Sequence, residues 1–232
     1  MTEIAESGGE LQRGIELFQL KQWNLALQEF LQVKFENLDT GETMELTYYL
    51  GLCYAKLEQY NDALLHLEKV ITAGWNPLRT YQCRMTLAYI YVMTDRSKMA
   101  EFELARLVSG GFESAQLYTA MAYVAWDQGR LKKAVELYEK ALKIDAESTT
   151  AMNGLGYILV DTGMDVSRGI RYCRQAVERN PRNAAYLDSL GWAYFKSGDP
   201  AEAGRWLRRA LELAPREREI QNHMRTVAGE AT

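Results

Sequence analysis

One spacing recurs along this chain. A glycine or alanine is followed twelve residues later by an alanine, and seven beyond that by a small or apolar residue. It is clearest at Gly191, Ala203 and Ala210, and it returns at Ala122, Ala134 and Ala141, at Ala88, Ala100 and Leu107, at Gly51, Ala63 and Val70, and at Gly14, Ala26 and Val33. A further copy, Gly156, Gly169 and Ala176, has a first interval of 13, which puts one extra residue near "MDVS". The leading small residues are 37, 37, 34, 34 and 35 residues apart. A unit this short cannot bury its own apolar face, so successive units must stack.

The spacing inside a unit is helical. Leu187, Leu190, Gly191 and Tyr194 follow i, i+3, i+4, i+7, and Ala203, Leu207 and Ala210 lie on one face of a second helix. An interior glycine costs a helix about 1 kcal/mol relative to alanine. Gly191 is expected to offset that cost by letting two helix axes approach closely. Asp199 suits an N-cap, Pro200 the first helical position and Glu202 a capping box. Asn180-Pro181 and Ala214-Pro215 read as turns between units.

A period near 34 with two helices per unit resembles the tetratricopeptide repeat family. The last copy carries the pattern in Leu187, Leu190, Gly191, Tyr194, Gly198, Ala203, Leu207, Ala210 and Pro215. Another carries it in Tyr118, Met121, Ala122, Gly129, Ala134, Tyr138 and Ala141, and an earlier one in Leu50, Gly51, Tyr54, Tyr60, Ala63, Leu67 and Val70. The resemblance implies an all-α, right-handed superhelical solenoid of six helix-turn-helix repeats plus a C-terminal capping helix. It implies a single domain over 1–232, with repeats near 7–43, 44–80, 81–114, 115–148, 149–183 and 184–217 and a cap at 217–228. Three features depart from the pattern. The two 37-residue intervals point to longer second helices or turns at "FENLDTGET" and "ITAGWNPLR". Glu10 and Arg13 stand where the first repeat should be apolar, as in an atypical cap. Beyond Pro215, Ile220, Met224 and Val227 give the final helix one apolar edge, and "GEAT" is expected to fray.

Composition narrows the function classes. The net charge of −4 argues against nucleic acid or an anionic membrane as the main partner. The Arg-rich run Arg168, Arg171, Arg174, Arg179 and Arg182 is balanced by acids and lies mostly on a second helix. Charge is uneven: Lys/Arg against Asp/Glu is 5 to 12 in residues 1–74, 10 to 7 in 75–144 and 12 to 12 in 145–232. No 18-residue apolar run exists, so no membrane-inserted helix is expected. "MTEIAESGGE" lacks the features of a signal peptide, so a cytoplasmic location is expected. Cys53, Cys83 and Cys173 are far apart and odd in number, and read as buried thiols. Gly110-Gly111 suits the end of a second helix, and His66 and His223 read as ordinary surface residues. No motif for catalysis, a cofactor or a metal is recognisable, so the chain is expected to be non-enzymatic, with no cofactor and no metal.

Function should then lie on the first helices, which in the resembled family line a concave groove. Opposite the core face of Leu187, Leu190, Gly191 and Tyr194 stands Trp192. The Trp192 position reads Ile15, Leu52, Tyr89, Tyr123, Tyr157 and Trp192 through the copies, aromatic in the last four. With helices about 10 Å apart, that ladder spans roughly 30 Å, enough for about nine extended residues or a helix of about twenty. One turn on come Trp126 and Phe195, and one turn earlier Tyr48, Asn153 and Asp188. Asp127 and Asp161 border this floor, with Lys196 as the basic exception. The lysine- and asparagine-rich carboxylate clamp of some family members is absent, since Leu11, Ile15, Tyr48, Leu52, Met85 and Tyr89 stand there. The expected partner is a protein or peptide that is apolar with some basic residues. Self-association through the aromatic face or the C-terminal helix, giving a homo-oligomer, is the alternative.

Overall fold

The computed structural model describes residues 2–229, with side chains described from Gly9 onward. The expected fraying of the last residues, Glu230 to Thr232, falls outside that range. Among the described residues there are thirteen α-helices, one 3-10 turn at Phe35–Asn37 and no strand. The helices gather into two compact units, Met1–Phe112 and Glu113–Thr232.

In the first unit, α1 (Thr2–Gln19) packs on α2 (Trp23–Gln32), α3 (Thr40–Lys56) on α4 (Tyr60–Ala73) and α5 (Pro77–Met93) on α6 (Ser97–Ser109). Phe30, Leu46, Leu50 and Cys53 form the apolar cluster that joins its first two pairs. In place of apolar contact, Arg13 reaches Glu29 across the first pair at 3.4 Å. The 37-residue intervals are absorbed in the two stretches expected, by a longer turn at the first and by longer first helices, not longer second helices, at both. Residues 33–39 link α2 to α3, seven against the four of 145–148. Helix α4 has 14 residues, as the second helices of the other unit do, and α3 and α5 have 17 against 13 for later first helices. The first helices are extended at their N-termini. The cause is capping: Asp39 and Glu42 close a full capping box at 2.8 and 3.0 Å, and Asn76 accepts from Leu78 N and Arg79 N ahead of Pro77.

In the second unit, α7 (Ala115–Asp127) packs on α8 (Leu131–Ile144), α9 (Thr149–Asp161) on α10 (Val166–Arg179) and α11 (Ala184–Lys196) on α12 (Pro200–Leu213). Helix α13 (Arg218–Ala228) closes the series against α12 and α11, burying Ile220 with Met224 and Val227 packed behind it. Ser114, Ser148, Asp165, Asn183 and Asp199 cap the helices that follow them. At Asp199 only half of the expected capping box forms: its carboxylate accepts from Glu202 N at 3.0 Å, while the Glu202 side chain turns to Arg205. The extra residue near "MDVS" widens the α9–α10 turn to four residues, 162–165.

Close approach explains the small residues of the frame. A Cβ on Gly191 would lie 2.8 Å from Leu207 Cγ and 3.2 Å from the Ala203 carbonyl oxygen. The tightest crossing is α9 on α10, where a Cβ on Gly156 would meet the Gly169 oxygen at 2.9 Å and one on Gly169 the Gly156 oxygen at 2.7 Å. All three cysteines are buried free thiols. On α10, Arg168 pairs with Glu139 and Arg179 with Glu147, as the balance of acids suggested.

Candidate functional site

In the second unit the first helices α7, α9 and α11 are neighbours, and α13 continues their series. Their aromatic residues form an unbroken belt. Tyr123 lies 5.4 Å from Trp126, and Trp126 meets Tyr157 edge-on at 6.0 Å. Tyr157 lies 6.4 Å from the ring of His223, which stacks on Trp192 at 4.2 Å and 18°. Trp192 in turn stacks on Phe195 at 5.3 Å. Tyr123 is 44% exposed, and Trp126, Tyr157, Trp192 and Phe195 are half-buried.

Polar groups hold the belt in place. The Trp192 Nε1–H donates to Asp161 at 2.9 Å, and the Lys196 ammonium pairs with Asp161 at 3.4 Å and sits 5.3 Å over the Trp192 ring. Asp188, expected on an exposed border, is only 5% exposed. Its two carboxylate oxygens accept from His223 Nδ1 at 2.9 and 3.0 Å. Donation from Nδ1 is the arrangement that gives a carboxylate and an imidazole each a partner here. His223 is itself buried, which overturns its reading as a surface residue; α13 carries it inward to pair with Asp188 and cover Trp192. The sequence did carry a signal for this. His223 follows Asp188 by 35 residues, one repeat on in the column Leu11, Tyr48, Met85, Thr119, Asn153, Asp188. Helix α13 thus stands in the register of a first helix.

Charge gathers at this end. Burial, then Asp161, Glu219 and Asp188, push the Tyr157 phenol above its usual range. Partial desolvation first, then the nearby Asp188, raise the Glu219 carboxyl, with His223 opposing. Asp127 is exposed at the end of α7, and Asn153 is half-buried on α9.

The remaining expected residues belong to the first unit. Tyr89 on α5 is 51% exposed. Tyr48 is 3% exposed and is not a surface for a partner. Its hydroxyl donates to Gln82 at 2.8 Å and the Arg79 guanidinium lies 4.1 Å over its ring, held in turn by Glu45. The N-terminal extension of α3 and α5 brings Glu45 and Arg79 together over Tyr48. Burial outweighs the Arg79 charge and pushes its phenol to about 12. His66 is half-buried and stacked on Tyr54 at 5.5 Å; burial first, then Lys69, lower its pKa.

Paired helices and close-packed small residues at fixed register define an all-α helical-repeat solenoid. A tetratricopeptide repeat model matches residues 66–223, and a second matches residues 46–73. The chain belongs to the tetratricopeptide repeat family. It is 34% identical over 80 residues to a TPR repeat-containing protein of Pseudomonas aeruginosa, covering 34% of this chain and 13% of that one. It is 30% identical over 111 residues to the photosystem I assembly protein Ycf3 of Synechococcus, covering 44% of this chain and 64% of that one. The matched region therefore spans less than two thirds of either relative. Among solved structures, a chain of the APC/C hetero-tetramer Cut9–Hcn1 superposes with a TM-score of 0.78 at 13% identity, over 95% of this chain and 42% of that one. No helix among the described residues is long and apolar enough to cross a membrane.

Proposed function

We propose that the protein is a non-enzymatic interaction module that binds an apolar segment of a protein or peptide, carrying some basic residues, along a groove lined by its first helices. It would act as an adaptor or assembly factor. The observation that carries this reading is the belt from Tyr123 to Phe195. A contiguous aromatic surface with an exposed leading ring is costly in water unless something covers it. Three first helices at about 10 Å spacing offer roughly 20 Å, room for about six extended residues. The exposed side chains of Asp127 and Glu219 add negative charge beside the belt, which favours basic flanks. The role of Ycf3 in assembling a photosystem is consistent with this reading. Self-association through the C-terminal helix is less favoured, because Ile220 is spent inside the unit.

The test is selection from a random ten-residue peptide library with the full chain and with Tyr123→Ala. Tyr123 is exposed enough to be replaced without unfolding the unit. Enrichment of apolar, basic-flanked peptides that bind the variant about tenfold or more weakly, at unchanged helical circular dichroism, supports the groove. Equal binding by the variant, or no enrichment, overturns it.

A further inference from the structure

The pair that fastens α13 has a third member. Glu219 and His223 stand four residues apart on α13, so both project from one helical face toward α11. One donor atom each from Glu219, His223 and Asp188 lies within 4.8 Å of the others. Asp188 and His223 are buried, and Glu219 reaches solvent at the open side of the group. His223 Nδ1 is 2.9 and 3.0 Å from the two Asp188 oxygens. Ligand atoms bonded tetrahedrally to one cation at about 2.0–2.2 Å are about 3.4 Å apart, so this pair need open by only about half an ångström to admit one. The charges also favour a cation. Two carboxylates converge on a single imidazole, and the Lys196 ammonium pairs with Asp161.

We propose that Asp188, Glu219 and His223 form a binding site for a first-row divalent cation, zinc above all, that pins α13 across α11. Two carboxylate oxygens and one imidazole nitrogen suit zinc, whereas magnesium and calcium favour sites built only of oxygen. On binding, the imidazole ligates through Nδ1 and carries its single ring proton on Nε2, the exchange passing through solvent, and water fills the fourth position on the exposed side. Zinc uptake is measured with no peptide present, so failure of this site and failure of the groove are distinguishable.

The full chain, stripped with chelator, is titrated with zinc and separately with magnesium by calorimetry. Its thermal midpoint is followed in parallel. The expected result is one saturable zinc site, no comparable magnesium site and a zinc-dependent rise in Tm. Glu219→Gln keeps the shape of the group and spares the Asp188–His223 pair, so it should fold. It should weaken zinc about tenfold or more and lose the Tm response. Cobalt used as a probe should give visible d–d bands that vanish in the same variant. Absence of saturable zinc uptake by the full chain overturns the site. So does uptake of equal affinity by both Glu219→Gln and His223→Gln, which would place the metal elsewhere, for instance on a thiol.

Discussion

At Asp188 a buried carboxylate depends on one partner. Removing the imidazole with His223→Ala leaves that charge inside the unit with its hydrogen bonds unmade and takes the stacked ring from Trp192. The expected loss is about 3 kcal/mol in urea unfolding of the full chain, at the lower end of what breaking a buried pair costs. Asp188 was legible as a site residue from its column, but its burial was not. Periodicity assigns a residue to a face and is silent on whether another helix lies over that face. The same limit applies to Tyr48, whose cover comes from Arg79, a residue of no periodic significance. The buried thiols give a second expectation. Burial raises Cys53, Cys83 and Cys173 to about 12 against an ordinary value near 9. A group raised in the folded state adds stability that is present below its unfolded pKa and lost as pH climbs through the folded value. Denaturation midpoints should therefore fall between pH 9 and pH 12, and thiolate absorbance near 240 nm should appear only with unfolding. Thiolate absorbance at pH 10 in the folded protein would refute this.

At the scale of helices and turns, the residue seven places after each small first-helix residue takes a left-handed conformation. In the second unit it is Gly129, Gly163 or Gly198, with φ between 69 and 88°. In the first unit it is Lys21, Glu58 or Asp95, with φ between 56 and 60°. That conformation strains a residue with a Cβ by about 1–2 kcal/mol. Glu58→Gly should thus raise stability by about 0.5–1 kcal/mol in thermal or urea unfolding, after the added freedom of the unfolded chain is subtracted. Gly198→Ala should lower it by a similar amount. A larger loss is expected at the α9–α10 crossing. A methyl on Gly156 must push back a carbonyl oxygen as well as the Cys173 sulfur, so Gly156→Ala should cost about 2–3 kcal/mol, in the range of overpacked cores. The helices themselves were readable because apolar spacing, caps and turn residues agree. Where the 37-residue intervals would be absorbed was readable, but that first helices would lengthen there was not, since Asp39 and Asn76 each sit in stretches that serve equally as loop or as cap.

At the scale of the whole chain, the family follows from one repeated constraint, the need for small residues wherever two helices of a pair cross. That constraint is written into the sequence at every copy, and so the fold was legible almost throughout. The partner-facing surface is written once per helix, with no repetition to average over, and so it was legible only as a column of aromatics. Each compact unit carries its own apolar cluster. Residues 113–229 expressed alone should therefore give a helical spectrum and a cooperative thermal transition. A non-cooperative melt would refute this.

The first-helix register of α13 has a further consequence. Its fastening residues reach back to α9, α11 and α12 of the same unit. Residues 184–229 thus make one structural piece, a helix pair with α13 laid over it. Such a piece is portable. Whole 34-residue repeats could be spliced in just ahead of Ala184, or this ending grafted onto another array of the same period. The Asp188–His223 pair would travel with it, and the array it joins would have to supply what Tyr157 and Asp161 of α9 supply here, a ring beside His223 and an acceptor for Trp192.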